Sequence, residues 1–121
     1  MARILVIDDE QPFRELLIEM LRAEGHTADG AGDGFEALQK LRAAPADVMV
    51  TDMMMPYGGL GMIRVLRGQF PGLAVIAMSG GGAHRLDYAR SVGACCTLAK
   101  PFTLDQLTEA IRLALPPKDR G

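Results

Sequence analysis

Tryptophan is absent from this chain of 121 residues, and aromatic side chains are limited to four Phe and two Tyr. Cysteine occurs only twice, at the adjacent positions Cys95 and Cys96. That spacing matches neither a metal-binding CxxC pair nor a framework of structural disulfides. We interpret both cysteines as small residues of a strand, and the eight methionines as a sign of an adaptable core.

A strong charge imbalance is also missing. The formal net charge is −2, and Lys and Arg are scattered along the chain rather than clustered. Such a surface has no broad attraction for nucleic acid or anionic lipid. We therefore expect no direct binding of nucleic acid and no binding of membranes.

Long hydrophobic runs are lacking as well. A single Arg precedes a four-residue aliphatic run near the N-terminus, which is far short of a signal-peptide core. No apolar stretch approaches the roughly 20 residues that span a bilayer. We therefore expect a cytoplasmic protein.

The length fits one domain with a substantial core, and it leaves little room for a separate output module. We expect a single domain over residues 1–121, with an ordered core at about residues 3–115 and a polar tail at residues 116–121. The expected protein is thus a stand-alone domain.

Short aliphatic runs, bounded by Asp, Gly, Pro or Ser, alternate along the chain with segments of helical period. The runs are typical of buried strands and lie at residues 4–7, 48–50, 73–78 and 95–99, with a weaker strand at residues 26–31. The helical segments lie at residues 13–21, 33–41, 60–67, 84–92 and 102–115. Strict alternation of strand and helix predicts an α/β fold with a parallel sheet covered by helices on both faces.

Two of the predicted helices have clear start signals. Asp33 and Thr103 are the predicted N-caps, and each is followed three residues later by Glu36 or Gln106, as in a capping box. These signals define the starts of the second and the last helix.

Polar side chains follow four of the five predicted strands. They are Asp8 and Asp9 after the first strand, Thr51 and Asp52 after the third, Ser79 after the fourth and Lys100 after the fifth. In an open parallel sheet, ligands bind beyond the carboxyl ends of the strands. We therefore expect three carboxylates, one hydroxyl and one ammonium to share one edge of the sheet.

Three carboxylates at that edge repel one another, so the cluster requires a counterion. Mg²⁺ suits it, because this cation prefers carboxylate, carbonyl and water oxygens and often touches a phosphate. We predict that Asp8 and Asp9 hold the metal, while Lys100 and Ser79 contact the oxygens of a phosphoryl group. Asp52 is then the candidate nucleophile, whose attack on phosphorus yields an acyl phosphate.

Four motifs together resemble the receiver domain of bacterial two-component response regulators. They are Asp8 with Asp9, Asp52 followed by MMMP, VIAMSG ending at Ser79 and Gly80, and LAKPF around Lys100. Each motif is weak alone, but the set in this order over nearly the whole chain is highly specific. The resemblance implies a flavodoxin-like (βα)5 fold, with a five-stranded parallel sheet in the order 2-1-3-4-5.

The resemblance also assigns roles at the metal and phosphoryl sites. Asp52 matches the phosphoacceptor, and Lys100 and Ser79 match its catalytic partners. Asp8, Asp9, Asp52 and the backbone carbonyl of Met54 match the ligands of Mg²⁺.

Further positions match the conformational switch of the family. Ser79, Gly80 and Thr97 are the expected switch residues, and the bond between Lys100 and Pro101 is expected to be cis. Receivers commonly carry Tyr or Phe where this chain has Thr97. A switch based on ring rotation is therefore not expected at that position.

The function implied by the resemblance is acceptance of a phosphoryl group from a sensor histidine kinase or a histidine phosphotransfer protein. The domain catalyses its own phosphorylation and dephosphorylation, and it signals by conformational change to an unknown downstream protein. A carrier in a phosphorelay and a pseudo-receiver that binds partners without phosphorylation are the alternatives. A phosphatase of the haloacid dehalogenase kind is disfavoured, because Glu10 stands where its DxD motif requires a second Asp.

Overall fold

The computed structural model describes residues 2–53, 59–80 and 93–115, with the backbone alone at residues 59–61. Within these ranges it contains five strands and four helices. The strands are β1 (Arg3–Ile7), β2 (Thr27–Ala31), β3 (Val48–Asp52), β4 (Ala74–Ser79) and β5 (Cys96–Ala99), and the helices are α1 (Gln11–Ala23), α2 (Gly34–Ala43), α3 (Gly59–Gln69) and α4 (Leu104–Ala114). The helix predicted at residues 84–92 and the tail at residues 116–121 lie outside the described residues.

The five strands form one sheet in the order β2-β1-β3-β4-β5, and every neighbouring pair is parallel. The predicted fold class and strand order are thus confirmed. From β1 the chain moves outward to β2 and then returns to β3 on the other side of β1, so the strand order reverses between β1 and β3. Such a reversal opens a crevice at the carboxyl ends of the strands.

Alternate residues of each strand face opposite sides of the sheet, and both sides are buried. In β1, Ile4 and Val6 belong to the core cluster that includes buried residues of α1 and α4. Leu5 and Ile7 belong to a second cluster with buried residues of α2 and α3. Burial on both faces explains why β1, β3 and β4 read as continuous aliphatic runs rather than as alternating patterns.

The helix ends follow the signals in the sequence. The side chain of Asp33 accepts a hydrogen bond from the backbone N–H of Glu36 at the start of α2. Thr103 and Gln106 form a complete capping box at the start of α4. Helix α1 is followed by Gly25, whose φ of 95° lies in the region that favours glycine.

None of the helices in residues 2–53, 59–80 and 93–115 combines the length and the apolar character that a membrane span requires.

Candidate functional site

Four of the predicted site residues meet at the carboxyl edge of the sheet. Asp8 directly follows β1, Asp52 is the last residue of β3, Ser79 is the last residue of β4, and Lys100 directly follows β5. Because all the strands are parallel, these four ends point in the same direction. The aliphatic part of each strand fixes its position in the core and delivers the polar residue to the crevice.

The centre of the site is an ammonium between two carboxylates. Nζ of Lys100 lies 2.9 Å from Oδ2 of Asp52 and 3.2 Å from Oδ2 of Asp8. Asp8 is fully buried and Asp52 is 5% exposed. A buried charge is tolerated only when it is paired, and the ammonium of Lys100 is paired with both carboxylates.

The acidic turn after β1 is fixed by hydrogen bonds to its backbone and side chains. The backbone N–H of Glu10 donates to Oδ1 of Asp8 (2.9 Å), and the guanidinium of Arg14 donates to the carbonyl of Asp8 (2.6 Å). The backbone N–H of Asp8 donates to Ala31 at the end of β2 (3.1 Å). Sequence reasoning did not identify Arg14, because a single Arg on an amphipathic helix resembles an ordinary exposed residue.

The pKa values of Asp8 and Lys100 are both raised, for different physical reasons. Burial raises the pKa of Asp8 above its ordinary value, although the N–H of Glu10 and the charge of Lys100 lower it in part. Burial lowers the pKa of Lys100, but its hydrogen bond with Asp52 and the charges of Asp52 and Asp8 more than offset this, so the pKa is raised overall. The Lys100 side chain is therefore cationic at neutral pH.

One aromatic ring borders the ammonium, and a second ring packs against the first. Nζ of Lys100 lies 4.5 Å from the centroid of the Phe13 ring, a distance within the range of cation–π attraction. The rings of Phe13 and Phe102 meet edge to face, with centroids 6.2 Å apart. The helical period at residues 13–21 places Phe13 on the first predicted helix but does not connect it to the site.

The last residues of β4 and β5 are tied together through the backbone. The N–H of Lys100 donates to the carbonyl of Ser79 (2.8 Å), and Ser79 pairs with Ala99 in the register of the two strands. Ser79 is fully buried, and the bond between Lys100 and Pro101 is cis. The backbones that carry the Ser79 hydroxyl and the Lys100 ammonium are therefore held side by side at the ends of β4 and β5.

The remaining predicted switch residues lie near this edge but in different surroundings. Gly80 directly follows β4 and is exposed. Thr97 lies inside β5, opposite Ala77 of β4, and is half-buried. Movement of these residues on activation, which the resemblance implies, stays a prediction.

The acids also provide a set of possible ligand atoms for a cation. One carboxylate oxygen from each of Asp8, Asp9 and Asp52 can be chosen so that all three lie within 4.8 Å of one another. Carboxylate oxygens are the ligands that Mg²⁺ prefers. Asp9 is exposed, which leaves its carboxylate accessible from solvent. The residues present therefore fit Mg²⁺, and Met54, the fourth predicted ligand, lies outside the described residues.

The fold and the site together define a flavodoxin-like α/β domain with an acidic cation site and a lysine at its strand-order reversal. The sequence matches the response regulator receiver domain family over residues 4–112. The chain therefore belongs to this family of two-component signalling proteins, and the family predicted from its motifs is confirmed.

Individual relatives differ in how much of their length the chain covers. Response regulator MprA of Mycobacterium tuberculosis is 36% identical over 116 residues, which are 94% of this chain and 50% of that protein. The chain thus spans about half the length of MprA. Sporulation initiation phosphotransferase F of Bacillus subtilis is 29% identical, and the match covers 96% of this chain and 95% of that protein.

Solved structures give the same fold. The response regulator protein TrrA from Thermotoga maritima, solved in complex with Mg²⁺ and BeF, is 34% identical with a TM-score of 0.84, and the match covers 95% of this chain and all of that one. A receiver domain from Clostridium thermocellum is 33% identical, also with a TM-score of 0.84, and 94% of each chain is covered.

Proposed function

We propose that this domain accepts a phosphoryl group on Asp52 in a Mg²⁺-dependent reaction and passes the signal to a protein partner by conformational change. The observation that supports this most directly is the placement of Lys100 Nζ within 2.9 Å of Asp52 and 3.2 Å of Asp8. It combines a nucleophile, an acid for the metal and a cation for the phosphoryl oxygens at one point. Such an arrangement catalyses phosphoryl transfer by positioning and charge stabilisation.

In the proposed transfer, a carboxylate oxygen of Asp52 forms a bond to phosphorus while the bond between phosphorus and the donor breaks. The leaving group keeps the electron pair: it is the imidazole nitrogen of a phosphohistidine or the acetate oxygen of acetyl phosphate. The Ser79 hydroxyl and the Lys100 ammonium would then contact the phosphoryl oxygens.

Receiver domains bind Mg²⁺ at an acidic pocket. In this chain Asp8, Asp9 and Asp52 would hold the ion, together with the carbonyl of Met54. When bound, Mg²⁺ supplies charge neutralisation for the transferring group. The protein's own contribution is to keep the three carboxylates converged and partly shielded from water.

The proposed donor is a sensor histidine kinase or a histidine phosphotransfer protein, since receiver domains are phosphorylated by these two classes. We further propose that the domain catalyses its own phosphorylation and dephosphorylation. It would act in the cytoplasm and signal to a downstream protein. A phosphorelay carrier is the second candidate. It is favoured by similarity to a phosphotransferase over 95% of that protein's length.

Incubation with acetyl phosphate and Mg²⁺, followed by intact-mass spectrometry, tests the proposed chemistry. We expect one phosphoryl group on the wild type, none on Asp52→Asn and none after chelation of Mg²⁺. Asp29→Asn is a matched control, because Asp29 is a carboxylate paired with Lys40, away from the site. Phosphorylation of Asp52→Asn, or a hydroxylamine-resistant adduct on the wild type, would exclude the assignment.

Transfer from the phosphorylated protein distinguishes the two candidate roles. A carrier returns its phosphoryl group to the histidine of a phosphotransfer domain, whereas a terminal regulator only loses it to water. Following label from the phosphorylated chain to an added phosphotransfer protein separates them.

A further inference from the structure

We propose that Phe13 is a positioning residue for Lys100, and that its ring holds the ammonium at the phosphoryl site by cation–π attraction. This inference rests on the proposed function of Asp52 and Lys100 in phosphoryl transfer. It identifies a role for an aromatic side chain that contains no group able to take part in the chemistry itself.

The geometry places the ring against the charged end of the lysine. Nζ of Lys100 lies 4.5 Å from the centre of the Phe13 ring. The face of an aromatic ring carries partial negative charge and attracts a cation without accepting a conventional hydrogen bond. Because the Lys100 side chain is only 21% exposed, water screens this attraction weakly.

The position of the ring is fixed relative to the acids. Phe13 lies in the first turn of α1, where the N–H of Arg14 donates to the carbonyl of Glu10 (2.9 Å). The guanidinium of Arg14 also donates to the carbonyl of Asp8 (2.6 Å). The ring of Phe102, two residues after Lys100, packs edge to face with Phe13. The ring, the acidic turn and the segment after Lys100 therefore form one connected unit.

The ring matters most when the carboxylates of Asp8 and Asp52 bind a metal ion. In the structure, two carboxylates attract Lys100 far more strongly than one ring does, so the ring is not needed to hold the ammonium. A divalent cation at Asp8 and Asp52 competes with the ammonium for the same oxygens and repels it. An uncharged ring cannot ligate Mg²⁺, so its attraction for Lys100 remains. Phe13 thus limits the displacement of the ammonium toward solvent and keeps it next to the arriving phosphoryl oxygens.

The expected effect on phosphorylation is moderate. Cation–π attraction at a partly desolvated site corresponds to about a three- to tenfold change in rate. Phe13→Leu should slow phosphorylation by acetyl phosphate by that factor, and Phe13→Tyr, which retains an aromatic face, should restore most of it. Phe70→Leu is the matched control, because Phe70 is a partly buried aromatic of the cluster on the opposite face of the sheet.

Fluorinated phenylalanines at position 13 separate charge from shape. Each added ring fluorine weakens the attraction for a cation while the ring keeps nearly the same size. We expect the logarithm of the phosphorylation rate to fall steadily with the number of fluorines. A flat series, or a rate that rises, would overturn the proposal, since a packing role alone predicts no trend. This arm does not depend on whether Phe13→Leu folds.

A spectroscopic measurement tests the contact without any phosphoryl chemistry. The Cε protons of Lys100 lie near the ring face, so their NMR signals should be displaced upfield in the wild type with Mg²⁺ bound and return toward ordinary values in Phe13→Leu. Loss of that displacement on adding Mg²⁺ to the wild type would show that the ring does not retain the ammonium. A wild type that shows the displacement but accepts no phosphoryl group would instead count against the proposed function alone.

Discussion

The ammonium of Lys100 lies 2.9 Å from the carboxylate of Asp52, the residue proposed to attack phosphorus. The same ammonium lies 3.2 Å from Asp8, a proposed ligand of the metal. A divalent cation bound as proposed would therefore compete with Lys100 for the same two buried carboxylates.

Removal of the lysine charge should strengthen Mg²⁺ binding. Lys100→Met retains an unbranched apolar side chain but removes a like charge within a few ångströms of the ion. We expect roughly tenfold tighter binding, since one such repulsion is worth on the order of 1–4 kcal/mol at surface-like to water-like screening. Isothermal titration calorimetry gives the affinity, with Lys40→Met as a control for loss of an ion-paired lysine outside the site. Unchanged or weaker binding would contradict the competition.

The two adjacent acids should contribute unequally to metal affinity. Both oxygens of Asp8 already accept hydrogen bonds, from the N–H of Glu10 and from Lys100, whereas Asp9 is exposed. Asp9→Asn should therefore weaken Mg²⁺ binding more than Asp8→Asn in a parallel titration. Glu19→Gln, which removes an exposed acid from α1, controls for the change in net charge. Full-strength binding by both aspartate variants would remove the metal-site assignment.

Stability should fall in mild acid because of His26. Nδ1 of His26 accepts a hydrogen bond from the backbone N–H of Ala2 (3.2 Å), and burial lowers the pKa of His26 below its ordinary value of 6.5. A pKa lower in the folded state means that the unfolded chain binds the proton more tightly. The stabilisation is thus complete above about pH 6.5 and is lost as the pH falls through the folded-state pKa.

Urea unfolding at about pH 7.5 and about pH 5.5 measures this loss. His26→Asn, which retains a hydrogen-bond acceptor but does not titrate there, should lose less stability than the wild type between the two values. Equal losses in the two proteins would rule out His26 as the group responsible.

Loss of the cap at the start of α4 should destabilise the domain. The hydroxyl of Thr103 accepts a hydrogen bond from the N–H of Gln106 (3.1 Å), and the Gln106 side chain accepts one from the N–H of Thr103 (2.8 Å). Thr103→Ala removes the first bond and should lower the free energy of unfolding by about 1 kcal/mol. Thr103→Ser keeps the hydroxyl and should remain close to the wild type in the same denaturant titration.

Local signals in the sequence predicted the strands and the helix caps well. The aliphatic runs predicted β1, β3, β4 and β5, because burial on both faces requires apolar residues regardless of which strand is the neighbour. The weaker pattern at residues 26–31 predicted β2, where Thr27 and Asp29 are exposed. Strand ends were less accurate. The third strand was predicted to end at residue 50, but β3 continues through Thr51 and Asp52, since Asp52 still pairs with Met78. Hydrophobicity ends before the backbone pairing does.

The candidate site was predictable only in part. The acids and the lysine could be assigned to one sheet edge because parallel strands present their carboxyl ends together. The contact between Phe13 and Lys100 could not be predicted in this way. It depends on how the first turn of α1 lies relative to Lys100, and periodicity within one helix contains no information about a partner so distant along the chain.

The pairing of Lys100 with Asp8 joins residues separated by 92 positions, near opposite ends of the described chain. Synthesis on the ribosome proceeds from the N-terminus, so a nascent chain that has completed β4 contains both buried aspartates but not the cation that balances them. Uncompensated like charges oppose burial, which disfavours tight closure of that crevice in the unfinished protein. Arrival of the last strand supplies the missing charge. The group proposed to contact the phosphoryl oxygens thus also couples the synthesis of β5 to closure of the crevice.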